Sequence, residues 1–136
     1  MNILETDFWC LMLPPEWSAE EEEGSVLITD QDGIGELAIT TLVRDQEDAP
    51  ETSLSEIAQM ESPEVSSWAN VTFGDFSGVT GPFIEDGAVW QEWYLSHGVA
   101  LLYCTYACDA EDAGMDMSAV EEILSTLVPG DALLVD

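Results

Sequence analysis

Few side chains in this chain carry the chemistry that catalysis needs. There is one histidine, His97, one arginine, Arg44, no lysine, and three cysteines, Cys10, Cys104 and Cys108. Phosphoryl transfer and Schiff-base chemistry therefore lack their usual cations. A Cys–His pair would need the thiolate to sit in a positive field. Here the field has the opposite sign, and the cysteines are expected to be buried, inert core residues. Paired carboxylates suit glycoside hydrolysis, but with 29 acidic residues such pairs arise by chance. No enzyme is expected.

Metal motifs fare no better. The stretch "DAEDAGMDMSAV", residues 109–120, is spaced partly like a calcium loop, with Asp109, Glu111 and Gly114 at its first, third and sixth positions. Its fifth position is Ala113 and its twelfth is Val120, where ligands are required. His97, Cys104 and Cys108 do not match zinc spacings. Neither a metal nor a cofactor is expected, beyond loose divalent cations on acidic clusters.

The acids themselves are the dominant feature. The formal net charge is −28 over 136 residues, against a magnitude of about 2–8 for most small domains. A domain of this length has a radius of gyration of about 14 Å, under two Debye lengths of about 8 Å at physiological salt. The carboxylates therefore repel one another across the whole molecule, and screening is expected to stabilise it. Nucleic acid and anionic membrane surfaces are excluded as partners by the same charge. A basic or amphipathic polypeptide is the partner it favours. Salt adaptation is the other explanation for such acidity, although five tryptophans speak for a protein that keeps large apolar residues.

The apolar content of 46% is that of a folded chain, not a disordered acidic one, and one domain over residues 1–136 is expected. The start "MNILETDFW" has no basic leader segment and no apolar run is long enough to span a membrane. With an odd cysteine count, these features lead to the expectation of a cytoplasmic protein with reduced thiols.

The elements that must position any site follow from the patterning. "TDFWCLML", residues 6–13, reads as a strand stopped by Pro14 and Pro15. Residues 25–30 and 36–43 read as two more strands, with Val26, Ile28, Leu37, Ile39 and Val43 on one face. Glu20 to Glu23 are expected in a solvated loop before them. "SLSEIAQMES" opens with a Ser53–Glu56 capping box and reads as a short helix. After Pro63 come "NVTFGDFSGV" and then "GAVWQEWYLSHGVALLYCTYACD", a long hairpin turning at His97-Gly98 with Ser96 opposite Val99. That register puts Val89, Trp93, Leu95, Ala100, Leu102, Cys104 and Tyr106 on a core face. Trp90, Glu92, Tyr94, Ser96, Leu101, Tyr103 and Thr105 share the other. A helix over roughly 116–128, capped near Asp116 and Ser118 with Glu121, buries Val120, Ile123, Leu124 and Leu127. The predicted fold is α+β, in the order βββ-α-ββββ-α, with a single antiparallel sheet of about six to seven strands and two main helices.

This order, the opening "FWCLMLPPEW", the "LYCTYAC" strand and the final "VEEILSTL" helix resemble the PsbP-like superfold, which includes DcrB-like proteins. That group contains Ran-binding import factors, photosystem II extrinsic proteins and chaperones of type VI secretion effectors. The resemblance implies a non-enzymatic scaffold that binds other proteins, and it transfers no residue assignments. The hairpin face supplies a docking surface in Trp90, Tyr94 and Tyr103, with Glu92 among them and Glu20, Glu21, Glu22 and Glu23 steering a basic partner. The expected function is an adaptor or secretion-type chaperone. The alternative is an immunity protein or nucleic-acid mimic that neutralises a cationic toxin or DNA-binding protein. The competing expectation for that surface is a cover, either the tail "ALLVD" or a second copy in a homodimer.

Overall fold

A computed structural model describes residues 2–22, 25–31, 35–43, 54–65, 67–97, 100–109, 111 and 117–130. Five strands precede the first helix: β1 (Asn2–Glu5), β2 (Trp9–Leu13), β3 (Trp17–Glu22), β4 (Ser25–Asp30) and β5 (Gly35–Val43). The helix α1 (Leu54–Glu61) leads to β6 (Ala69–Phe73), β7 (Phe76–Glu85), β8 (Ala88–His97) and β9 (Ala100–Asp109). The described chain closes with α2 (Met117–Leu124) and a two-residue strand, β10 (Val128–Pro129).

The strands form two sheets, not the single one expected. Seven strands run in the order β3-β4-β5-β9-β8-β7-β6, and a smaller sheet has the order β1-β2-β10. All described pairings are antiparallel. The expected first strand over 6–13 is confined to Trp9–Leu13 and is preceded by β1, because Thr6 turns the chain between them: its hydroxyl donates to Trp9 O and its oxygen accepts from Trp9 N. The small sheet and α2 lie over the inner face of the large sheet. Trp9, Leu11 and Leu13 from β2 pack with Val120, Ile123, Leu124 and Leu127 against Ile28, Leu37, Ile39, Trp93, Leu95, Leu102 and Tyr106. The Trp9 indole N–H donates to Thr41 Oγ1 at 2.8 Å, so the buried indole is satisfied across the two sheets.

Other boundaries also moved. The Glu20–Glu22 part of the acidic run is an edge strand, β3, paired with Val26, Leu27 and Ser25, and not a loop. Glu23 and the Ser53 cap lie outside the described residues, as do Asp116 and the loop centred on Gly98 and Val99. Ser118 sits inside α2 and is not its cap. The helix ends at Leu124, short of 128, because Val128 and Pro129 pair with Cys10 and Trp9. "NVTFGDFSGV" is two strands joined at Gly74–Asp75. The Asp86-Gly87 link between β7 and β8 has φ of 53° and 79°, the conformation that a tight two-residue hairpin demands.

In the β8–β9 hairpin, His97 pairs with Ala100 and Tyr94 with Tyr103, so the expected register is displaced. Each residue's partner shifts by two positions. A shift of two preserves face parity, which is why the predicted division into two faces survives. Trp93, Leu95, Ala100, Leu102, Cys104 and Tyr106 are all buried on the inner side.

Candidate functional site

The outer face of the large sheet has two unequal halves. α1 and the segment after it pack on β7 and β8. There Ala58, Val79 and Tyr94 form a second small core, with Trp68 and Tyr103 against it. Gly81 admits this cover: a Cβ there would overlap Val65 Cγ1 and approach the Ser67 carbonyl to 2.7 Å. Over β3, β4, β5 and β9, every described side chain on this face except Leu101 is half-buried or exposed.

Register ties the two halves together row by row. One row reads Glu20, Leu27, Ala38, Thr105, Glu92, Gly81. The next reads Glu22, Ser25, Thr40, Tyr103, Tyr94, Val79. Glu20 and Glu22 therefore share the face of the aromatic residues, roughly 14 Å from β9 at three strand spacings. Glu21 alternates to the other face, opposite Val26, and lines a cleft with Glu5 and Asp7 that Glu22 also borders.

The aromatic residues themselves are not arranged as a bare surface. Tyr94 is 5% exposed and Glu92 only 3%, which corrects the expectation that both present themselves to a partner. Ala58 of α1 and Trp68 pack on Tyr94, and the "ALLVD" tail expected as a cover lies outside the described residues. Trp90 is half-buried and stacks on Phe83 at 5.6 Å, away from the other rings. Tyr103 remains half-buried, with its ring centroid 4.9 Å from that of Tyr94. Trp68, which sequence reasoning missed, meets Tyr94 edge-on at 5.7 Å. Its placement depends on the chain leaving α1, and no local periodicity announces that.

Beneath these rings lies a polar cluster. Ser62 and Tyr94 share a hydroxyl hydrogen bond of 2.9 Å. The Tyr103 hydroxyl donates to Glu92 Oε2 at 2.5 Å. Glu92 Oε1 and the Trp68 indole N–H are buried without a hydrogen-bond partner among the described atoms. Burial raises the Tyr103 hydroxyl well above the ordinary tyrosine range, and the hydrogen bond and charge of Glu92 raise it further. Tyr94 is also raised, first by burial. The Ser62 hydrogen bond works against this, and the charges of Glu92, Glu61 and Glu64 add to it. Three carboxylates thus act on one pair of rings, and no lysine or arginine stands among the described residues to oppose them.

A cleft of about 360 Å³ opens where the covered half meets the open one, lined by Thr40, Leu42, Glu61, Tyr94, Leu101 and Tyr103. Leu42 is 49% exposed, and Glu61 is exposed on the rim. The floor is apolar and aromatic, the rim acidic. His97 and the cysteines do not assemble into a site. His97 Nδ1 lies 3.1 Å from Asp75 O at the far end of β8, while Cys104 and Cys108 are buried in β9. Burial pushes the Cys104 thiol far up. No group of three metal-ligating side chains occurs among the described residues.

The architecture is that of a PsbP-like α+β fold. It is shared with the cyanobacterial PsbP, CyanoP, of Synechocystis sp. PCC 6803, at a TM-score of 0.53 and 10% identity over 94% of this chain and 91% of that one. LpqN of Mycobacterium tuberculosis, described as involved in cell envelope biogenesis, superposes at 0.50 with 13% identity, over 90% of this chain and 83% of LpqN. A Bacteroides thetaiotaomicron protein of 20% identity superposes at 0.65 over 89% of this chain. The chain spans only 44% of that protein's length. No family model matches the sequence, and none of the curated proteins compared with it does. At these identities the likeness concerns the fold alone.

Proposed function

We propose that this chain is a non-enzymatic protein-binding module, an adaptor or secretion-type chaperone, that docks a basic, amphipathic polypeptide on the open half of its outer sheet face. The observation that carries this reading is the junction at α1. An exposed apolar residue, Leu42, and the half-buried Tyr103 lie beside Glu61, on a face that also bears Glu20, Glu22 and Glu36. Such a surface offers apolar area to one side of an amphipathic segment and carboxylates to its cations. The carboxylates speed encounter and set orientation, while Leu42 and Tyr103 supply contact area.

Fluorescence anisotropy with a labelled amphipathic lysine–leucine peptide tests it. Binding is expected at low ionic strength, weaker at physiological salt, and weaker again for a scrambled peptide of equal charge. The Leu42→Asn variant is expected to lose most of the difference between the two peptides. Equal binding of both peptides, unaffected by Leu42→Asn, would reduce the interaction to bulk charge and overturn the proposal. Absence of binding to any free peptide, with binding to a folded cationic protein, would move the protein to the inhibitor class.

A further inference from the structure

The cleft beside Tyr103 has a chemistry more specific than the face around it. We infer that it is a receptor for one cationic side chain, arginine before lysine, of the docked polypeptide. The inference deepens the docking proposal and rests on it for the polypeptide, though not for the cleft's own selectivity.

Five features converge there. Tyr94 and Tyr103 are tilted at 42° with centroids 4.9 Å apart, giving ring surface on one wall. Ring faces attract cations through their quadrupole. The Tyr103 hydroxyl donates to Glu92, and a phenol bonded to a carboxylate holds more electron density in its ring than one bonded to water. Glu92 sits one ring behind the cleft, with Oε1 unpartnered, so its charge has no counterpart within the described chain. Glu61 stands exposed on the rim, in place to accept the N–H groups of a guanidinium lying over Tyr103. Thr40, Leu42 and Leu101 line the remaining wall, and the two leucines suit the aliphatic stem. A planar guanidinium stacks on an aromatic ring and pairs with a carboxylate at once, which a compact ammonium does less well.

Amide shift perturbation in ¹⁵N-labelled protein provides the test, with acetyl-arginine-amide as the probe and acetyl-citrulline-amide as its neutral isostere. Arginine amide is expected to move the amides of Leu42, Glu61, Leu101 and Tyr103 saturably, and citrulline amide to move them little. Glu61→Gln is expected to weaken arginine binding by about two- to fivefold, the range of one exposed ion pair. Glu85→Gln, which removes the same charge at the exposed β7–β8 turn, is expected to leave it unchanged. Equal shifts from both probes, shifts spread over all acidic strands, or equal effects of the two variants would overturn the inference. If the lysine–leucine peptide binds while arginine amide finds no site, the cleft assignment falls and the docking proposal stands. If arginine amide binds and the peptide does not, the cleft is a cation site and the docking proposal falls.

Discussion

Tyr103→Phe isolates the polar cluster, because it removes one oxygen and little volume. In the wild type the hydroxyl donates the only described hydrogen bond to the Glu92 side chain. Without it both carboxylate oxygens are buried with no donor. A hydrogen bond to a charged group contributes about 1.5–3 kcal/mol, and an unpaired buried charge costs about 3–5 kcal/mol. Some relief is available, because Tyr103 is only half-buried and water can follow the lost hydroxyl. The expected loss is therefore about 2–3 kcal/mol. With a urea m-value of about 2 kcal/mol/M, the midpoint falls by roughly 1–1.5 M. Equilibrium unfolding followed by tryptophan fluorescence reads this directly. Glu92→Leu added to Tyr103→Phe removes the stranded charge, so the double variant should be more stable than Tyr103→Phe alone. The coupling should be at least about 1 kcal/mol. A Tyr103→Phe loss under about 0.5 kcal/mol, or two effects that simply add, would refute the reasoning.

Alkaline pH should destabilise the fold early. Tyr94 and Tyr103 are raised above their ordinary 10.0 and Cys104 above 9.0, so the folded state retains protons that the unfolded chain releases. Their stabilising contribution is complete below the unfolded values and declines as pH rises through 9 and 10. Each tyrosine adds a slope of about 1.4 kcal/mol per pH unit above its unfolded value, until its folded value is passed. A urea midpoint that stays level from about pH 8 to about pH 11 would contradict those shifts. Salt should act in the other direction. Between about 0.01 M and 0.15 M the screening length falls from about 30 Å to about 8 Å, so thermal unfolding should move up by several degrees. An unmoved melting temperature would show that the carboxylates do not repel one another enough to matter.

The strands from Ser25 onward were legible because alternation is a local signal, and so were the four strands after α1. The inner faces of β8 and β9 were correct even though the hairpin loop was misplaced by one residue. Parity survives that slip, and parity decides burial. What could not be read depended on distant contacts. β1 and β10 exist only as partners of β2. β3 carries consecutive glutamates and is a strand because β4 offers it a ladder, against its own propensity. The half-covered state of the outer face depends on where α1 lands. Glu92 and Tyr94 are buried on the half that α1 and the segment after it cover, while Tyr103, directly opposite Tyr94, stayed partly open. Gly81 was the one local hint, since a glycine inside a strand often marks close approach by another segment.

The acidic run also acquires a structural reason once it is seen as a strand. β3 ends the seven-stranded sheet, and its outward edge presents backbone donors and acceptors to any passing strand. Glu20 and Glu22 project from one face of that edge and Glu21 from the other, so a second copy meets like charge on both sides. At the opposite end β6, "ANVTF", carries no charge at all. The described part of the acidic run, Glu20–Glu22, therefore does two separable things. It shields the edge it lies on, and through Glu20 and Glu22 alone it adds negative potential to the face that carries Leu42 and Tyr103. Within β3 any steering of a basic partner on that face falls to Glu20 and Glu22, because Glu21 points to the opposite side of the sheet.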